Sequence, residues 1–88
     1  MPKIYEYLGY IFLIYTDDHL PIHVHVTHGE TSAKVELLYD DGVLTVKFKR
    51  VRGQKILTAK QQQEVKTFVE AYHESIVEKW NRIHVLHT

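Results

Sequence analysis

From Thr58 to Thr88 the chain carries neither glycine nor proline, and its apolar residues recur at three- and four-residue intervals. Val65, Phe68, Val69, Tyr72, Ile76, Trp80 and Ile83 form one stripe, with Glu70, Glu74, Glu78 and Asn81 opposite. That period belongs to an amphipathic helix whose stripe needs an apolar layer to cover it. Thr58, with Gln61 three positions on, has the form of a capping box and marks the start. A helix from Ala59 to Arg82 would run roughly 36 Å at about 1.5 Å per residue, the full width of so small a domain. It is therefore expected to bend or to overhang the layer beneath.

Residues 1–57 hold all four glycines and both prolines and read as strands and turns. Ile4–Tyr7 is a short first strand. Tyr10–Tyr15 is a second, apolar on both parities and so central. Asp17 to Pro21 is a turn, because Asp bonds its own backbone and Pro cannot donate to a ladder. Ile22, Val24 and Val26 then alternate with His23, His25 and Thr27, giving a strand with one aliphatic face and one imidazole face. His28-Gly29-Glu30 turns the chain again. Ala33–Tyr39 and Val43–Lys49 flank Asp41-Gly42, a strong hairpin signal. The expected fold class is α+β: an antiparallel meander of four to five strands packed against a long C-terminal helix. With 88 residues, a single domain over 1–88 is expected, β-rich in 1–57, with the helix and tail in 58–88.

The absence of cysteine excludes a disulfide framework, a thiolate metal site and thiol chemistry, and suits a reducing cytoplasm. The longest strongly apolar run, Tyr7 to Tyr15, is broken by Gly9 and far too short to cross a bilayer. The N-terminus lacks the basic, apolar and small-residue pattern of a secretory signal. A cytoplasmic protein without a membrane partner is the expectation.

The formal net charge is zero, but it is split along the chain. Residues 1–41 carry Lys3 and Lys34 against seven acids, and residues 42–88 carry nine bases against four. Lys47, Lys49, Arg50 and Arg52 fall within a stretch, Gly42 to Gln63, that contains no acid. Such a split either draws the two halves together or leaves a basic face for a phosphate-bearing partner such as RNA or DNA.

Four of the seven histidines, His19, His23, His25 and His28, crowd into the segment between Asp17-Asp18 and Glu30. On a strand His23 and His25 project side by side about 6.5–7 Å apart. Two imidazoles so placed can converge on one divalent ion, zinc, manganese or iron, with His19, Asp18, Asp17 or Glu30 as further ligand. A second reading is metal-free cleavage of RNA, with His23 and His25 as acid and base and Arg50 or Arg52 stabilising the charge on phosphorus. A third is a nucleic-acid-binding module using the basic 47–55 segment. The plain alternative is a half-exposed strand whose histidines meet solvent. His23-x-His25 with Glu30 also resembles the first metal motif of cupins, but the flanking glycines and the second motif are missing, so that family is set aside. Trp80 and Tyr72 read as core, His73 as a histidine at the stripe's edge with a local partner, and His84 and His87 as a frayed tail.

Taken in order, an N-terminal Met-Pro, a strand ending in Tyr15, D-H-x-P-x-H-x-H-V from Asp18 to Val26, then Gly29-Glu30 and a histidine seven residues before a tryptophan (His73, Trp80) resemble a known family. It is the small prokaryotic family catalogued as domain of unknown function 4160. Ile22 stands where the family often has a second proline. The resemblance implies a half of a two-gene cassette of toxin–antitoxin type, with a small partner protein encoded alongside. It carries over Asp18, His19, His23 and His25 as site positions, with Pro21, Gly29, His73 and Trp80 as motif positions. A dimer through an exposed strand edge is compatible with the sheet.

Overall fold

The computed structural model describes residues 3–85, so the Met-Pro start and His87 lie outside the described residues. The fold is α+β. Five strands, β1 (Lys3–Tyr7), β2 (Tyr10–Leu13), β3 (His23–His28), β4 (Thr31–Asp40) and β5 (Val43–Lys49), form an antiparallel meander in that spatial order. A two-residue strand, β6 (Lys55–Ile56), pairs in parallel with the start of β4 and leads into α1 (Ala59–Val85). The sequence carries no strand signal for β6, because two residues have no period.

The turns explain the register. Asp41 and Gly42 both adopt positive φ (55° and 79°), the two-residue connection whose twist suits a hairpin. Leu8 and Gly9 do the same between β1 and β2 (50° and 84°). Gly9 is also tight for space: a Cβ there would lie 3.1 Å from His28 Nε2.

Because cross-strand partners share a face, the pairing sorts the side chains cleanly. Phe12, Val26 and Ala33 form one row, and Val24, Val35 and Phe48 the next. These face α1, whose Val65, Phe68, Val69, Ile76 and Trp80 are buried against them. Phe12 is fully buried and packs at 4.7 Å from Phe68. Its replacement by Ala costs about 3–5 kcal/mol, a large share of a small domain's stability. Tyr10 donates its hydroxyl to Glu64 at 2.8 Å on this side, and burial with that bond pushes its pKa up to about 12.

The helix begins as its capping box requires, with Gln61 N donating to Thr58 Oγ1 and Thr58 N to Gln61 Oε1. It does not run straight. Twenty-seven residues would extend about 40 Å, yet the longest dimension of the molecule is 33 Å. The break is at Tyr72 (φ −116°, ψ 17°). Tyr5 straddles it: the ring meets Phe68 and Tyr72, and the hydroxyl donates to Ser75. Tyr72, expected in the core, is instead 50% exposed, because at the kink its ring lies over Phe68 and Tyr5 at the margin of the core. Beyond the kink, α1 brings Trp80 and His84 to the β2–β3 loop.

Candidate metal centre

His23 and His25 alternate along β3 with the core residues Val24 and Val26, and the β2–β3 loop brings Asp18 to them beside the C-terminal part of α1. Loop and strand are locked locally. Asp18 N donates to the Tyr15 carbonyl at 3.2 Å, and Tyr15 N donates to Asp18 Oδ2 at 3.0 Å. This reciprocal turn fixes the carboxylate, as short Asp side chains commonly do. Asp18 Oδ2 then stands 3.3 Å from His23 Nε2 and 3.4 Å from His25 Nε2. One ligand atom from each of the three residues lies within 4.8 Å of the others.

These separations bear on two kinds of contact. Charge-assisted bonds between imidazolium and carboxylate are short, about 2.7–2.9 Å. Ligand atoms at roughly 2.0–2.1 Å from a tetrahedral zinc stand about 3.3–3.4 Å from one another. The observed distances are compatible with the second spacing, and His25 Nε2 also lies 3.4 Å from Asp18 Oδ1, the length of a long hydrogen bond. The tautomer agrees: His23 Nδ1 donates to the Pro21 carbonyl at 2.8 Å, so in the neutral ring Nε2 presents a lone pair towards Asp18. A ligand histidine oriented through its other nitrogen by a carbonyl is the usual outer support of a metal site. Burial holds the His25 pKa below its ordinary value, outweighing the opposing pull of Asp18; His23 and Lys34 push in the same direction as burial. His25 is thereby biased towards the neutral form that metal binding needs.

Aromatic rings wall the group. Tyr15 sets an edge against His25 (4.4 Å between centroids), and Trp80 lies against His23 (5.1 Å). His23 is only 3% exposed. His84 stacks on Trp80 at 4.0 Å and turns its ring nitrogens to two backbone carbonyls, Trp80 at Nδ1 (2.7 Å) and Asp18 at Nε2 (3.0 Å), of which a neutral ring donates to one and an imidazolium to both. The expectation of a frayed, uninformative His84 is corrected: it sits in the last helical turn and ties the helix to the loop that bears Asp18.

The other sequence candidates are distributed elsewhere. His19 is exposed and outside the three-residue group, and Glu30 is exposed at the far hairpin, 4.0 Å from Lys55. His28 points to the helix side, where its ring packs on Tyr10 and its Nδ1 meets Gln61 Nε2 at 3.3 Å. Parity explains this: His28 is an odd number of residues from His23 and His25 and so faces the other way. His73 pairs with the Tyr39 hydroxyl at 2.9 Å rather than with the strand histidines.

The basic segment does cross towards the imidazole face. Gln54 and Ser32 share a side-chain hydrogen bond, and Val51 and Gln54 join Tyr15, His25, Thr27 and Ser32 around a cleft of about 60 Å³. Arg50 and Arg52 are exposed and do not line it. Two neighbours went unmarked in the sequence. Register sets Lys34 opposite His25 and Glu36 opposite His23. Glu36 is 3% exposed and is paired with Lys49 (3.3 Å) and Lys34 (3.8 Å). The period-two pattern of β4, continued through the Gly29-Glu30 turn, was the signal for them.

No helix among the described residues is long and apolar enough to cross a membrane. Comparison with curated proteins and with solved structures gives no match. A family model described as a domain of unknown function matches residues 9–81, a span that includes the Asp18 loop, both strand histidines, His73 and Trp80, and the chain therefore belongs to the DUF4160 family.

Proposed function

We propose that Asp18, His23 and His25 bind one divalent metal ion, zinc, manganese or ferrous iron in kind. The observation that carries the reading is the convergence of His23 Nε2 and His25 Nε2 on Asp18 Oδ2 at 3.3 and 3.4 Å, with the His23 Nδ1 proton committed to Pro21. Three protein ligands leave coordination positions for water or a ligand, the arrangement of reactive rather than purely structural sites. Once bound, the ion supplies Lewis acidity and an activated water. The protein fixes the carboxylate through Tyr15, orients His23 through Pro21 and shields one side with Trp80.

The metal reading is favoured over metal-free acid–base chemistry. His23, only 3% exposed, is poorly placed to exchange protons with a substrate, and Arg50 and Arg52 lie away from the cleft. On the family resemblance alone, the proposal extends to a cytoplasmic interaction protein working with a small partner encoded alongside it, in a module of toxin–antitoxin type.

Native mass spectrometry with elemental analysis of the untagged protein, before and after chelation, tests the metal reading. One chelatable equivalent is expected. Protein that stays metal-free when zinc, manganese and ferrous iron are each offered overturns it.

A further inference from the structure

Beside the proposed ligands, the face of the sheet that carries them is basic in an organised way. His25, Lys34 and Lys49 are successive cross-strand partners on β3, β4 and β5, so their side chains form one row. The adjoining row is His23, Glu36 and Lys47. Glu36 lies beneath the lysines, its buried carboxylate 3.3 Å from Lys49 Nζ and 3.8 Å from Lys34 Nζ. One carboxylate thus positions two ammonium groups and neutralises only one.

The strands and loop around the centre carry Lys34, Lys47 and Lys49 against Asp17, Asp18 and Glu36, so a divalent ion at the centre would leave a net positive charge there. Long basic side chains beside open metal positions are suited to one ligand chemistry, an oxyanion that touches metal and ammonium together. The cleft next to His25, about 60 Å³, has the space of about two waters at roughly 30 Å³ each. Ser32, Thr27 and Gln54 supply polar atoms to its wall.

We infer that the centre's ligand is a terminal phosphate group, held between the metal at Asp18, His23 and His25 and the ammonium pair of Lys34 and Lys49. The inference rests on the metal reading above. A terminal phosphate carries a second negative charge that a phosphodiester lacks, and the unneutralised ammonium together with the ion favours that second charge.

The test titrates inorganic phosphate, and separately dimethyl phosphate, into manganese-loaded protein by calorimetry near pH 7.5. Manganese affinity is measured beforehand for wild type, Lys34→Gln/Lys49→Gln and Lys34→Arg/Lys49→Arg. The expected result is one equivalent of manganese bound by all three, no more weakly in the glutamine variant than in wild type, and phosphate binding at least tenfold weaker in the glutamine variant and retained in the arginine one. Dimethyl phosphate is expected to bind at least tenfold more weakly than phosphate. Manganese binding without phosphate binding overturns this inference alone, as does equal phosphate affinity in wild type and glutamine variant or equal affinity for the two probes. Absence of manganese binding overturns the metal reading and this inference with it. If the double glutamine variant loses its fold, Lys49→Gln alone takes its place under the same criteria, since the Lys49 side chain is about half exposed.

Discussion

His84, in the last turn of the helix, holds the backbone oxygen of Asp18 at 3.0 Å across 66 positions of chain. The far end of the helix thereby sets the loop that presents the carboxylate of the candidate centre. Loss of an outer support of this kind commonly weakens metal binding 10–100-fold. His84→Ala is accordingly expected to lower zinc affinity by about 10-fold or more with little change in melting temperature. Calorimetric titration of both proteins checks this. An unchanged affinity means that the Tyr15 turn alone holds Asp18.

The two strand histidines separate metal binding from stability. His25 has 22% of its side chain exposed, whereas His23 is buried against Trp80. His25→Ala should abolish stoichiometric zinc binding and change the unfolding free energy by less than about 1 kcal/mol. His23→Ala should abolish binding too, but lower stability by about 2–4 kcal/mol, as buried large-to-small changes do. Urea unfolding of the chelated proteins measures the difference. Equal stability losses in both variants contradict the assignment of His23 alone to the packed interior.

The sequence made the layers legible, and the limits of that reading are physical. Period two in β3 and β5, Asp41-Gly42, and the Thr58–Gln61 box are local signals, and each is realised in the structure. The convergence of Asp18 on His23 and His25 was within reach, because a turn and its adjoining strand are neighbours whatever the tertiary fold. His84 was not, since its contact with Asp18 depends on the kink at Tyr72, which no Gly or Pro announces. Neither was the exposure of Tyr72, which held a correct place in the stripe. The burial of Glu36 required the β3–β4 register, not the composition of β4.

Acid should weaken both the fold and the site. The folded-state pKa of His25 lies below its ordinary 6.5, chiefly through burial. As pH falls, the unfolded chain takes up this proton first. The group's contribution to stability is therefore complete above about pH 6.5 and is lost as pH drops through the folded-state value. Protons also compete with metal for the same nitrogen. Zinc affinity at about pH 5.5 is expected to be at least 10-fold below that at about pH 7.5. Equal affinity at the two pH values contradicts imidazole ligation.

Leu8 occupies the left-handed region (φ 50°) on an exposed hairpin tip. An ordinary L-residue pays roughly 1–2 kcal/mol there, while Asn adopts it more readily. Leu8→Asn should stabilise the protein by about 0.5–1 kcal/mol and raise the melting temperature by a few degrees. A lower melting temperature means that the leucine side chain makes a contact worth more than the backbone strain.

The most direct measurement is long-range ¹H–¹⁵N correlation of the histidine rings while zinc is added to chelated protein. The account predicts that Nε2 of His23 and of His25 shift together and saturate at one equivalent. Nδ1 of His23 should remain protonated towards Pro21, and His19, His28 and His73 should stay unchanged. Saturation through His19 or His28, or no shift of the His23 and His25 rings at one equivalent, contradicts a metal centre at Asp18.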